Sequence, residues 1–273
     1  MAAAPVHDTR GIVDPAGLLS RVRFRRHRPA EPLRRHIETY WLIDWDLPEP
    51  YVSHLVPHPS VNLTFQWDED EGAPYAELTG VALGLYARKL TGRGRVCGVK
   101  FRPGGFRPYA PAHPVSHWTG RALRASEVFP QATADTARNI VIPADDHDRV
   151  VALDAFLLAR APVPDPQADR AMALADRIRS DRTVSRVADF AESQGLSTRA
   201  LQRLFSSYVG ITPKWAILRH RIHEALERAG REGKEDVDWA ALAAELGYAD
   251  QAHLIRDFKA TVGVPPTAYA ANG

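Results

Sequence analysis

Arginine, glutamine and histidine side chains recur in two short segments of the C-terminal half. The segments contain, respectively, Arg199, Gln202 and Arg203, and Gln251, His253 and Arg256. Arginine can donate two hydrogen bonds to guanine O6 and N7, and glutamine can bond adenine N6 and N7. If each segment is a helix, these side chains lie on its outward face. The chemistry they predict is the recognition of base edges in a DNA groove.

An internal repeat relates the two segments. The pattern Leu-x-Arg-x-Phe begins at Leu201 and again at Leu254, an offset of 53 residues. Gly195 and Gly247 precede it at an offset of 52, and each copy ends in Gly-x-x-Pro. Glycine favours the left-handed conformation that ends a helix. Each copy therefore predicts a helix, a glycine turn, a second helix and a stop.

Local capping signals agree with this division. Ser197 and Asp238 stand where an N-cap is expected, whereas Arg186 occupies that position in the first helix of the first copy. A plain helical bundle with solvated arginine and glutamine would also fit one copy. Two copies with the same residue types favour the helix-turn-helix, whose second helix enters the major groove.

Residues 168–271 resemble the DNA-binding domain of the AraC/XylS family of bacterial transcription regulators. The matching segments are 197–205, 210–213, 243–259 and 263–269. The resemblance implies two helix-turn-helix units joined by a long helix, here residues 213–229. It implies base-reading positions at Arg199, Gln202 and Arg203 in the first unit and at Ala252, His253 and Arg256 in the second. Ser197, Thr198 and Gln251 complete the predicted DNA-binding set.

The sequence departs from the family pattern at a few places, and its charge is uneven. Ala249 replaces a frequent polar residue, Ala252 offers only a methyl group, and the connection over residues 230–238 is long and acidic. Residues 177–221 hold nine basic and three acidic residues, a net charge of +6. Residues 222–273 hold five basic and nine acidic residues, a net charge of −4. We therefore expect the first unit to supply most of the attraction to phosphate.

The front half has the composition of strands rather than helices. Residues 37–45, 61–67, 76–81 and 96–101 are rich in β-branched and aromatic residues, and the basic stretch 21–28 alternates as a strand with one solvated face. Prolines mark a linker at residues 161–167. The predicted fold class is α+β: a β-rich domain with appended helices (residues 1–160), the linker, and an all-helical domain of two helix-turn-helix units (residues 168–271).

The front half also resembles, more weakly, the N-terminal domain of a subgroup of the same regulators, through Tyr40-Trp41 and residues 56–65 and 98–106. The resemblance implies a small cupin-like barrel that senses an effector or mediates dimerisation. Aromatic side chains could line an effector pocket or form ordinary barrel core. The candidates are Trp41, Trp45, Phe65, Trp67, Tyr86 and Phe101.

Other classes of protein fit less well. With 45% hydrophobic and 25% charged residues the chain is globular, and no apolar run has the length of a membrane span. The single cysteine, Cys97, excludes an internal disulfide and a cysteine zinc cage, so a reducing cytoplasm is expected. Pro57 and Pro114 break the helix that would place the pairs His54/His58 and His113/His117 each on one face, so a zinc site on a helix is not expected. No hydrolase, Walker or dinucleotide motif appears.

The sequence thus predicts a sequence-specific DNA-binding transcription regulator that is not an enzyme and needs no cofactor or metal. Its expected partner is double-stranded DNA. A small-molecule effector and RNA polymerase stay open as further partners, no membrane partner is expected, and the chain could be a monomer or a homodimer. The alternative is a ligand-binding or enzymatic β-barrel protein whose helical half serves assembly only.

Overall fold

The computed structural model describes residues 11–232 and 237–271. Six strands lie in the front half: β1 Val22–His27, β2 Ile37–Leu55, β3 Asn62–Asp68, β4 Tyr75–Thr79, β5 Tyr86–Phe101 and β6 Ala122–Arg124. The α-helices are α1 Pro15–Leu19, α2 Ala134–Val141, α3 Asp146–Leu158, α4 Pro166–Ser180, α5 Val187–Ser193, α6 Thr198–Tyr208, α7 Pro213–Glu232, α8 Trp239–Glu245, α9 Gln251–Val262 and α10 Pro266–Ala271. The predicted α+β fold is confirmed.

The strands form one antiparallel sheet in the order β1-β2-β5-β3-β4-β6. Strands β2 and β5 form a long ribbon whose register shifts between Leu47 and Tyr51. Beyond that shift the ribbon curls over the sheet, so that Arg88 of β5 donates a hydrogen bond to Gln66 Oε1 of β3 at 3.0 Å. The curl encloses space between the ribbon and one face of the sheet.

The two faces of the sheet have different roles. On one face, Tyr40, Phe65, Cys97 and Phe101 are fully buried in a core that α2 and α3 cover. On the other face lie Trp41 and its neighbours at alternate positions, because successive side chains of a strand point to opposite sides. This second face is the one that the ribbon covers.

The helical half contains the predicted repeat. In the first unit α5 and α6 pack through Phe190, Leu201 and Phe205. In the second unit α8 and α9 pack through the corresponding apolar residues, including Leu254 and Phe258. Gly195 and Gly247, at the two turns, have φ of +65° and +71°. Glycine adopts this left-handed conformation without the clash that a Cβ would add.

Several predicted boundaries were wrong. Strand β2 continues past residue 45 to Leu55, and β5 begins at Tyr86 rather than at residue 96. The prolines at 48 and 50 do not end β2, because they lie in the irregular part of the ribbon, where a missing N–H breaks no pairing. Val81 lies outside β4 and packs in the core of the first helix-turn-helix unit. Helix α7 continues to Glu232 rather than ending at residue 229. Part of the acidic connection, residues 233–236, lies outside the described residues.

The basic stretch is a strand, as predicted, but it lacks a simple solvated face. Arg25 of β1 is buried and pairs with Asp44 and Asp146 at 2.6 and 2.5 Å. These two carboxylates neutralise the guanidinium and tie the sheet to α3. Arg25 is therefore a structural residue rather than a free cation.

Candidate DNA interface and effector pocket

The first recognition helix, α6, presents a polar face. Its N-cap Ser197 accepts a hydrogen bond from the backbone N–H of Ala200 at 3.2 Å. Arg199, Gln202 and Arg203 are exposed and Thr198 is half-buried, whereas the opposite side of the helix is in the core. The predicted base-reading side chains of this unit therefore share one accessible face.

The second recognition helix, α9, has the same layout with a different cap. Asp250 accepts a hydrogen bond from the backbone N–H of His253 at 2.7 Å, so it supplies the polar cap that Ala249 cannot. Gln251, Ala252 and Arg256 are exposed. The His253 ring is 44% exposed and lies edge-on to Tyr248, with its Nε2 3.7 Å from Asp257 Oδ2.

The cations of the first unit do not all face solvent. Arg219 of α7 is 6% exposed, lies over the Trp215 ring and donates to the carbonyl of Leu83 at 2.9 Å. Burial lowers the pKa of Arg219 to about 10. The charge count of +6 therefore includes a guanidinium that points at the sheet half, while the expectation that the first unit supplies most of the attraction to phosphate stays a prediction.

The helical half is fixed to the sheet half on both units. Thr119 donates to the carbonyl of Gly210 at 2.6 Å, and Arg35 pairs with Asp169 at 2.5 Å. On the second unit, the Tyr269 hydroxyl donates to the carbonyl of Val13 at 3.1 Å. These contacts join the helical half to the sheet half at several points along its length.

The space under the curled ribbon is a pocket of about 210 Å³. One wall is apolar and comes from β1, β2, β5 and α1. Its members include Leu18, Phe24, Trp41, Ile43, Trp45, Leu90 and Val96. The other wall is polar and comes from β3, β4 and the residues before β3. Its members include His58, Ser60, Asn62, Thr64, Gln66, Glu77 and Thr79.

Two glycines of β5 shape the apolar wall. Gly98 pairs with Trp41, and a Cβ at Gly98 would lie 1.9 Å from Trp41 Cε2. Gly94 pairs with Trp45, and a Cβ there would lie 2.0 Å from Trp45 Cζ2. Each indole therefore lies flat over a bare backbone. Glycine at alternate positions of a strand is a signal of such close approach, and it could have identified this wall from the sequence.

The pocket reaches α7 through two histidine rings. His58 of the polar wall stacks on His223 at 4.1 Å between ring centroids, with planes 8° apart. His223 is buried, and its Nε2 lies 3.2 Å from the carbonyl oxygen of Pro57. Burial lowers the pKa of His223 well below its usual value, so the ring is neutral at pH 7. No pattern in the sequence indicates this contact.

The six aromatic candidates divide between three places. Trp41, Trp45 and Tyr86 line the pocket. Phe65 and Phe101 are fully buried on the opposite face, so the ordinary-core interpretation fits them and the pocket interpretation does not. Trp67 packs against that same core and borders an open cleft elsewhere on the surface.

The residues that suggested other chemistry have structural roles. Cys97 is buried, and burial raises the pKa of its thiol to about 12, so it is a core side chain. His113 and His117 stack on each other beside Trp118. Across residues 11–232 and 237–271 no cluster of three or more histidine, cysteine or acidic residues could hold a metal ion. Over the same residues, no helix combines the length and the apolar character of a membrane span.

Comparison with known proteins gives two family matches. Residues 25–124 match a family model described as a domain of unknown function, and residues 190–272 match one described as a helix-turn-helix domain. No curated protein matches the chain.

Three solved structures show low overall similarity. ToxT from Vibrio cholerae is 13% identical, with a TM-score of 0.41 over 85% of this chain and 96% of that chain. A structure of unsaturated fatty acid bound ToxT is 11% identical, with a TM-score of 0.39 over 89% and 96%. The C-terminal domain of AraT, a response regulator from Geobacillus stearothermophilus, is 21% identical, with a TM-score of 0.34 over 40% and 87%.

The helix-turn-helix match covers both recognition helices, α6 and α9, and most of the repeat. Residues 190–272 are therefore a helix-turn-helix domain, as the repeat predicted. The protein is a DNA-binding transcription regulator.

Proposed function

We propose that the protein reads two successive major grooves with α6 and α9, and that a small effector in the sheet pocket controls this binding. The observation that supports the double readout is the repeated unit with one exposed polar face in each copy. The proposed base contacts come from Arg199, Gln202 and Arg203 in the first unit, and from His253 and Arg256 in the second. Ser197, Thr198, Gln251 and Ala252 lie beside them.

Genome-wide selection of DNA fragments bound by the purified full-length chain tests this readout. Two helices that enter successive grooves on one face lie about 34 Å apart, roughly 10 bp. A footprint on the selected site should therefore show two short protected blocks at that spacing for each chain. Protection of a single block, or selection of no common sequence, would contradict the proposal.

The stacked pair His58 and His223 supports effector control. His58 belongs to the pocket wall, and His223 belongs to α7, the helix between the two helix-turn-helix units. A ligand that moves the His58 ring changes the packing of α7, and the angle of α7 sets the separation of α6 and α9. His58→Ala should therefore weaken the response of DNA binding to an effector, whereas the exposed His54→Ala should leave the response unchanged.

The division of labour that we propose follows the predicted borders: a sensing domain over residues 1–160, a linker over 161–167 and the DNA-binding domain over 168–271. Helix α4 begins at Pro166, with Asp165 as its N-cap, so the last two residues of the predicted linker belong to its first turn. A regulator of this kind acts on DNA in the cytoplasm and communicates with RNA polymerase, as a monomer or a homodimer. Light scattering of the chain with and without its operator distinguishes these two states.

A further inference from the structure

The pocket under the curled ribbon carries more positive than negative charge. Arg26, Arg88 and Lys100 line it, and Glu77 is the acidic residue of the lining. Lys100 is 8% exposed and pairs with Glu38, which lies outside the pocket, at 3.2 Å. A cation buried beside a cavity favours an anionic partner in that cavity, because the low local dielectric strengthens the attraction.

A second observation points to a ligand in the same place. Ser60 is 3% exposed, and its Oγ has no hydrogen-bond partner within the described residues, although it lines the pocket. Leaving a buried hydroxyl unpaired costs free energy, and a ligand that accepts its hydrogen bond removes this cost. Ser60 and Lys100 lie near each other, because Asn62, two residues after Ser60, pairs with Lys100 across β3 and β5.

The apolar wall favours a ligand with a flat apolar part. The Trp41 ring has one face on Gly98, and the ring itself borders the pocket. Aromatic rings prefer offset-stacked or edge-on partners at such a surface. A cavity of about 150 Å³ can hold benzene, so 210 Å³ suits one ring with a short chain or two fused rings.

We propose that the pocket binds a small organic anion with a flat apolar body. The anionic group lies at the end formed by Ser60 and Lys100, and the body lies against Trp41, with Arg26 as a further cation of the lining. This assignment rests on the proposed function for its regulatory meaning, since an occupied pocket would act on His58 and α7. The binding of the anion itself is independent of DNA.

Three probes with one ring, a short chain and different charge test the assignment: phenylacetate, phenylacetamide and 2-phenylethylamine. Isothermal titration calorimetry of the full-length chain should show the anion binding at least about tenfold more tightly than the amide, because a hydrogen bond to a charged group is stronger than a neutral one. The amine should bind most weakly. Equal affinities, no binding of the anion, or a preference for the amine would overturn the proposal.

Variants locate the site. Lys100→Gln and Arg26→Gln should each weaken the anion about tenfold and leave the amide nearly unchanged. The matched control is Lys89→Gln, on the same strand as Lys100 but exposed and outside the pocket lining. Gly98→Ala should weaken all three probes, since the new methyl group displaces the Trp41 ring. Thermal unfolding identifies any pocket variant that fails to fold. The affinities of the pocket variants that do fold then show whether the anion binds in this pocket.

Mobility-shift assays of operator binding, with and without the anion, distinguish this proposal from the proposed function. Anion binding that Lys100→Gln weakens supports the ligand class, whether or not operator affinity changes. Anion binding without any change in operator affinity contradicts effector control and leaves the ligand class in place. If the amide or the amine binds best and also alters operator affinity, effector control stands and the ligand class is overturned.

Discussion

In the first helix-turn-helix unit a neutral hydroxyl, Ser197, caps the recognition helix, whereas in the second unit a carboxylate, Asp250, has this role. The apolar framework is the same in both, with Phe205 and Phe258 fully buried at equivalent positions. A helix N-terminus attracts phosphate, and an aspartate at the same end competes with it. The repeat therefore preserves packing, while the DNA-facing end of each helix is set independently.

The two units also differ in the contacts that hold them against the sheet half. The first unit contacts the sheet half through Thr119 and Gly210, and the second through the Tyr269 hydroxyl and the carbonyl of Val13. Helix α7, between the units, adds the buried ring of His223, which burial keeps neutral in the folded chain. Since the caps differ in charge and the cores match, the two units should respond differently to charge and salt and alike to loss of core packing.

The largest expected effect tests the shared framework. Phe205→Ala and Phe258→Ala each remove a fully buried ring and should each lower the free energy of unfolding by about 3–5 kcal/mol. Denaturant titration of the full chain measures both. The exposed Gln202→Ala is the control and should change stability by less than about 0.5 kcal/mol. A loss below about 1 kcal/mol in one unit would show that the two cores are not equivalent.

The next effect compares base reading in the two units. Arg203→Ala and Arg256→Ala should each cost about 1–3 kcal/mol of discrimination at one base position. Arg203→Lys and Arg256→Lys keep the charge and lose the paired donors, so they should lose discrimination and retain most non-specific affinity. Binding titrations on single-base operator variants check this. Equal weakening on all sequences would mean that the arginine contacts phosphate only.

A third prediction concerns His223 and the loss of folding stability at acidic pH. Burial holds its pKa below the ordinary 6.5, so the folded chain keeps the ring neutral while the unfolded chain takes up a proton below that pH. The resulting stability is present above pH 6.5 and is lost as pH falls, by up to about 1.4 kcal/mol per pH unit.

His223→Gln should remove part of this slope between pH 7.5 and 5.5, measured by denaturant titration at each pH. His220, Lys100 and Arg219 also act on the ring, and their positive charges lower its pKa in the same direction as burial. An unchanged slope in the variant would show that His223 leaves its buried site before it is protonated.

The repeat, its caps and its glycine turns could be predicted because each signal is local. Ser197 and Gly195 act on the few residues beside them, so spacing alone places them. The face on which Phe65 lies could not be predicted, because alternation fixes which residues share a face but not which face the helices cover. The burial of Arg219 depends on Leu83, far away in the chain, and no sequence pattern reports that contact.

This distinction corrects the linear charge count and gives a fourth prediction. Each phosphate neutralised contributes about 0.9 to the slope of log K against log salt. Arg186→Gln, at an exposed cation outside the base-reading set, should flatten the slope by about that amount. Arg219→Gln should leave the slope unchanged, because its guanidinium faces the carbonyl of Leu83. Lys259→Gln in the second unit should have a smaller effect than Arg186→Gln. Fluorescence anisotropy across a salt series measures all three, and a flatter slope for Arg219→Gln would mean that Arg219 reaches DNA.

The smallest expected effect exchanges the two caps. Asp250→Ser keeps a side-chain oxygen for the His253 N–H and removes a negative charge from the N-terminus of α9, so it should tighten operator binding a few-fold. Ser197→Asp should weaken binding by a similar factor, since it places a carboxylate at the N-terminus of α6. Both residues can cap, so helix content and thermal stability should stay close to wild type, which circular dichroism verifies. If Asp250→Ser instead weakens binding, the carboxylate itself contacts a base, such as the amino group of cytosine, and the second unit then uses its acidic charge for specificity.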